Sequence, residues 1–89
     1  MLQKEITIIN KLGLHARAAA KFVTLASQFN CDIQVIKNNN EINGKSIMGI
    51  MMLAASKGSS VTLKIEGNDE KKALSELEAL IKDRFGEDQ

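Results

Sequence analysis

The stretch Cys31-Asp32-Ile33-Gln34-Val35-Ile36-Lys37-Asn38-Asn39-Asn40-Glu41-Ile42-Asn43 sets the architecture of this chain. Cys31, Ile33 and Val35 alternate with Asp32, Gln34 and Ile36, the period of a strand that buries one face. Asn38-Asn39-Asn40 supplies residues tolerant of positive φ, and a short segment Glu41 to Asn43 follows, so the stretch reads as a hairpin, strands two and three.

Toward the N-terminus, Leu2, Lys4, Ile6 and Ile8 alternate with Gln3, Glu5, Thr7 and Ile9, which predicts strand one over Leu2 to Ile9. From Ala16 to about Phe29 the period changes. Ala19, Phe22, Val23, Ala26 and Phe29 recur at three and four, an amphipathic helix with Arg17, Lys21, Thr24 and Gln28 elsewhere on it. Toward the C-terminus, Ser46 is a natural N-cap for a short helix from Ile47 to about Leu53, and Lys57-Gly58-Ser59-Ser60 turns the chain. Val61, Leu63 and Ile65 then alternate with Thr62, Lys64 and Glu66. Gly67-Asn68-Asp69 leads into a last helix with Ala73, Leu74, Leu77, Leu80, Ile81 and Phe85 on one stripe, closed by Gly86. The order β-α-β-β-α-β-α, with strands apolar on one face, predicts an α+β fold: a mostly antiparallel sheet covered by helices on one side.

Eighty-nine residues predict one domain over 1–89 with a modest core. Twelve basic against eleven acidic residues leave a net charge of +1 spread along the chain, without the basic footprint of a nucleic-acid binder. The aromatic residues are Phe22, Phe29 and Phe85, all at core-like spacing in segments read as helical, rather than on a sheet surface where bases could stack. The apolar stretch Ile47 to Ala55 is broken by Gly49 and is too short to span a bilayer, and Met1-Leu2-Gln3-Lys4-Glu5 lacks a signal peptide's apolar core, so a cytoplasmic protein is expected. Cys31 and His15 match no metal-ligand spacing, Cys31 reads as a small buried hydrophobe, and neither a metal nor a cofactor is expected. Gly44-Lys45-Ser46 echoes the end of a nucleotide-binding P-loop, but Asn39 stands where that motif needs its first glycine.

His15 is the one histidine, at the mouth of the first helix in Asn10-Lys11-Leu12-Gly13-Leu14-His15-Ala16-Arg17. A helix start offers free N–H groups and a positive dipole end to an anion, and it favours the neutral, nucleophilic imidazole over its cation. Gly13 allows a tight approach, Ala16 leaves the backbone N–H groups of Ala16 and Arg17 unobstructed, and the Arg17 guanidinium can hold phosphoryl oxygens in bidentate fashion. These features point to phosphate chemistry. Read on residues alone, a single histidine in a loop is more often a capping or surface residue than a nucleophile, and Arg17 is compatible with a solvated helix position. The second helix adds Met48, Met51 and Met52, and with Ile47 it carries more apolar side chains than so short a helix can bury, as a surface that meets partners would, with core packing the alternative for any one of them.

Gly13-Leu14-His15-Ala16-Arg17 and Gly44-Lys45-Ser46-Ile47-Met48-Gly49-Ile50-Met51-Met52-Leu53 together resemble the two signatures of the HPr family, histidine-containing phosphocarriers of the bacterial phosphoenolpyruvate-dependent sugar phosphotransferase system. The resemblance covers nearly the whole chain. It implies an open-faced β-sandwich with a four-stranded antiparallel sheet and three helices. It further implies a monomeric carrier, not a stand-alone enzyme, whose His15 accepts a phosphoryl group on Nδ1 from phosphorylated Enzyme I and passes it to a sugar-specific enzyme IIA. By the same resemblance Ser46 matches the serine modified by HPr kinase/phosphorylase. The chain departs from the family at one place in the first signature: Ala18 follows the arginine where proline is usual. A rival of another class, a small-molecule-binding regulatory module of ferredoxin-like order, accounts for the element order and leaves His15 and Arg17 without a use.

Overall fold

A computed structural model describes residues 1–88. Its elements are β1 (Leu2–Thr7), α1 (Ala16–Ala26), β2 (Asp32–Lys37), β3 (Asn40–Asn43), α2 (Ile47–Met52), β4 (Ser60–Glu66) and α3 (Glu70–Lys82), followed by a short turn, Arg84–Gly86. The strands form one sheet in the order β1-β4-β2-β3, every pair antiparallel. Asn38 and Asn39 close the β2–β3 hairpin with φ of 52° and 68°, the two positive values a tight two-residue turn requires. Asparagine tolerates them because its short polar side chain can bond locally.

The period-2 pattern becomes a core through register. Ile6 lies opposite Val61, Ile33 opposite Ile65 and Val35 opposite Leu63, so the apolar side chains of three strands share one face. Against that face pack Ala18, Ala19, Phe22 and Ala26 of α1, Ile50 of α2, and Ala73, Leu77 and Ile81 of α3, all buried. Burying each of the larger side chains contributes roughly 1.5–3 kcal/mol. Lys4 has the parity of the buried face and keeps its charge by reaching Glu78 Oε2 on α3 at 2.6 Å. The other face carries Gln3, Glu5, Asp32, Thr62 and Lys64, a polar surface that no described element covers. This is the helix-covered antiparallel sheet that the element order predicts, in the open-faced form with three helices that the resemblance implies.

The structure corrects four boundaries. The first helix stops at Ala26, and Phe29 is buried from a turn rather than from the helix. No glycine or proline marks that end. Partners remote in sequence take the backbone groups instead: Asp69 accepts from the N–H groups of Asn30 and Cys31 at 2.9 and 3.1 Å, and Lys45 Nζ donates to the Phe29 carbonyl at 2.7 Å. Cys31 therefore precedes β2, although it is as buried as expected. The last helix ends at Lys82. Arg84, Phe85 and Gly86 run on with φ of 56°, 54° and 78°, which reverses the chain while the Phe85 ring stays fully buried. The first strand is also shorter than its pattern, ending at Thr7, although Ile8 keeps its buried face and exchanges backbone hydrogen bonds with Ser59 and Gly58.

Candidate functional site

The link from β1 to α1 is short and tightly held. Asn10 is fully buried and donates from Nδ2 to the Gly13 carbonyl at 2.8 Å. Gly13 takes φ +66° and passes so close to Ala55 and Ser56 that a Cβ there would meet backbone atoms at 2.4 and 2.8 Å. Leu14 N–H donates to the Ala55 carbonyl at 2.8 Å. This pairing anchors the chain one residue before His15, which occupies the N-cap position of α1 with extended backbone and no side-chain cap bond. The first turn of α1 therefore keeps N–H groups that have no acceptor within the helix, those of Ala16 and Arg17 foremost.

Ala16 and Arg17 are exposed, whereas Ala18 and Ala19 turn inward. Arg17 forms no ion pair among the described residues, so its guanidinium is available to an external anion. Ala18, in the position where proline is usual, leaves the helix start intact: α1 begins at Ala16, and Ala19 N–H already bonds the His15 carbonyl at 2.8 Å. His15 and Arg17 line one open cleft with Lys11, Leu12, Ala16, Glu87 and Asp88.

One member of this cleft, Glu87, and the buried residue that holds it, Asn10, were not legible as site residues. Glu87 Oε2 lies 2.5 Å from His15 Nε2, and Glu87 Oε1 accepts from Asn10 Nδ2 at 3.0 Å. The hydrogen bond from Asn10 first, and that with His15 second, hold the Glu87 carboxyl below the usual glutamate value. Nothing in a local pattern marks Glu87, seventy-two positions from His15. Asn10, for its part, reads as a loop residue until its burial is known. Its Oδ1 has no partner among the described residues.

The second signature forms a neighbouring surface. Ser46 caps α2, its Oγ accepting from Gly49 N–H at 3.1 Å. At the other end of α2, Lys37 Nζ donates to the carbonyls of Leu53 and Ala54 at 3.2 and 3.3 Å. Between these ties Ile50 points into the core, while Ile47, Met48, Met51 and Met52 stay exposed, Met48 and Met52 at 71% and 79%. Leu12 joins them at 64% exposure, a residue that an apolar pattern alone does not assign to a surface. Leu12, Met51 and Ala54 share a concavity with His15, so the apolar patch is continuous with the histidine. Ser46 lies at the far end of α2, about 9 Å along a six-residue helix from that concavity. Cys31 stays outside both surfaces, its thiol pushed up to about 11 chiefly by burial and then by Asp69.

Comparison with known proteins accords with this geometry. A family model described as "PTS HPr component phosphorylation site" matches residues 2–83. The phosphocarrier protein HPr of Cupriavidus necator is 55% identical over 87 residues, 98% of each chain. The crystal structure of HPr from Thermoanaerobacter tengcongensis superposes with a TM-score of 0.96 at 50% identity over the whole of both chains. A dimer of HPr from the same organism matches at 0.79 and 52% identity, over 98% of this chain and all of that one. With both signatures, the sheet order and the full-length matches in agreement, the chain belongs to the HPr family of phosphocarriers of the phosphotransferase system.

Proposed function

We propose that this protein carries a phosphoryl group on His15 Nδ1, accepting it from phosphorylated Enzyme I and donating it to a histidine of a sugar-specific enzyme IIA in the cytoplasm. One observation carries the reading: in a chain of the HPr family, the one histidine stands at the open start of α1, beside an exposed arginine that forms no ion pair among the described residues. In loading, the Nδ1 lone pair attacks phosphorus in line, the bond from phosphorus to the donor breaks, and the donor leaves with its electron pair. The transferred dianion then meets the N–H groups of Ala16 and Arg17 and the Arg17 guanidinium, each charge-assisted contact worth roughly 1.5–3 kcal/mol. An open cleft keeps that grip moderate, as a carrier needs. Both oxygens of Glu87, the carboxylate in contact with the ring, are engaged by Asn10 and His15, so Glu87 is not free to activate water, which favours transfer over hydrolysis.

The apolar surface of Leu12, Ile47, Met48, Met51 and Met52 receives donor and acceptor alike, since flexible thioethers adapt to several partners. Ser46 is the regulatory position, where a kinase of the HPr kinase/phosphorylase type would place a phosphate at the start of α2. The reading as a monomer is supported by the cleft and the apolar surface each lying within one chain. The carrier reading is tested by incubation with phosphoenolpyruvate and Enzyme I: an acid-labile, base-stable phosphate forms on the wild-type chain and not on His15→Ala. Absence of label, or its persistence in that variant, refutes it.

A further inference from the structure

The contact between Glu87 and His15 is built with more structure than a mobile tail needs. After α3 the chain passes through Arg84, Phe85 and Gly86 in three consecutive left-handed conformations, two of them at residues with a Cβ that disfavours it. Four interactions hold this turn in place. Phe85 is fully buried, Lys21 Nζ donates to the Phe85 carbonyl at 2.6 Å, Gly86 N–H bonds the Asp83 carbonyl, and Glu87 N–H bonds the Arg84 carbonyl. The turn delivers Glu87 to the ring, and the buried amide of Asn10 fixes its second oxygen. Because the carboxylate is ionised at neutral pH, the hydrogen between Glu87 and the ring resides on Nε2, and Nδ1 is left with its lone pair.

We propose that Glu87 is a proton-holding positioning residue: it keeps the proton on Nε2 of His15 while the phosphoryl group sits on Nδ1, so that the ring departs as neutral imidazole. The proposal rests on the reading of His15 as the phosphoryl carrier. When Nδ1 attacks phosphorus, the ring becomes a cation with its proton on Nε2, and the Glu87 carboxylate balances that charge. When an acceptor imidazole then attacks the phosphorus, the P–Nδ1 bond breaks and its electron pair returns to Nδ1. The proton on Nε2 stays in place, and the ring regains its starting tautomer with no other reactant. Were that proton lost first, the leaving group would be an imidazolide anion and release would be far slower. Lys11 and Arg17 also line the cleft beside the ring and oppose its protonation, Lys21 helps keep Glu87 ionised, and Asp88 favours the cation. Of these groups Glu87 is the one in direct contact with the ring.

The test loads His15 chemically with phosphoramidate, which needs no protein donor, so a failure of Enzyme I to phosphorylate the chain bears only on the carrier reading. Ring nitrogen NMR of the phosphorylated wild type, Glu87→Gln and Glu87→Asp is followed as a function of pH, together with the rate of phosphoryl transfer to free imidazole. The expected result is a phosphate on Nδ1 and an Nε2 proton lost about one pH unit earlier in Glu87→Gln, a roughly tenfold smaller protonated fraction above that midpoint. The pH profile of transfer moves by the same amount, and Glu87→Asp, which keeps a carboxylate, recovers part of the shift. Coincident midpoints in wild type and Glu87→Gln, or a wild-type phosphate on Nε2, overturn the proposal.

Discussion

Gly13→Ala tests how the loop before α1 fixes the site. At φ +66° the new Cβ would stand 2.4 Å from the Ala55 carbonyl oxygen and 2.8 Å from Ser56 Cα. Both are backbone atoms, so no rotamer change relieves the overlap, and the Ala55 oxygen is already committed to Leu14 N–H at 2.8 Å. The left-handed conformation costs an alanine about 1–2 kcal/mol. Displacing closely packed backbone adds about 1–3 kcal/mol, for a total of roughly 2–5 kcal/mol. In a chain of this size each kcal/mol lowers Tm by about 4–8 °C, so a fall of at least ~8 °C is expected. Gly58→Ala is the internal control. Gly58 also has positive φ, 92°, but a Cβ there meets nothing within 4 Å, so only the conformational part, about 1–2 kcal/mol, applies. Urea unfolding with unchanged m-values reads both. Because the overlap lies two residues before His15, acceptance of phosphate should fall further in Gly13→Ala than in Gly58→Ala at a temperature where both remain folded. Equal costs for the two variants, or a cost at Gly13 below about 1 kcal/mol, would refute the reasoning.

Three further outcomes follow from the geometry. Ser46→Ala removes the acceptor for Gly49 N–H and should cost about 1 kcal/mol by denaturant unfolding, whereas Ser46→Asp keeps a cap and costs little. The same Ser46→Asp should accept phosphate from Enzyme I more slowly, and unchanged transfer kinetics would count against Ser46 as the regulatory position. Ala54 sits at φ 50° on the exposed side of the α2 exit, so Ala54→Gly should gain up to about 1 kcal/mol in thermal unfolding; a loss would show that the Ala54 methyl packs usefully. Asp69 is held below the usual aspartate value chiefly by the Asn30 N–H, so its folded-state contribution is present above the ordinary carboxylate range and is lost as pH falls through it toward the depressed folded value. Stability should therefore decline less steeply with acid in Asp69→Asn, measured by unfolding from neutral pH downward, and an unchanged slope would remove Asp69 from the acid limb.

What the sequence determined by itself is what local physics encodes. Alternation at Ile33, Val35, Val61, Leu63 and Ile65 fixed which face of each strand is buried, and the asparagine run fixed a hairpin because it tolerates two positive φ values. Ser46 as a cap, Gly13 as a point of close approach, and His15 with Arg17 at a helix start are likewise decided within a few residues. Element ends were less legible. α1 stops at Ala26 because Asp69 and Lys45 satisfy the turn that follows, and α3 gives way to a left-handed turn because Phe85 must reach the core while the chain reverses.

Only the tertiary structure decided the partners of His15. Glu87 and Asn10 reach one another through the packing of the segment after α3 against the start of α1, and Leu12 becomes part of the methionine surface only because Gly13 lays its loop against Ala55. A hydrogen bond spanning seventy-two positions leaves no period in the chain, since its formation depends on the order of the strands and the direction of a turn rather than on neighbouring residues. The sequence thus determines that an imidazole and a guanidinium stand at a helix mouth. The fold determines which ring nitrogen is held, which is left free, and what surface surrounds it.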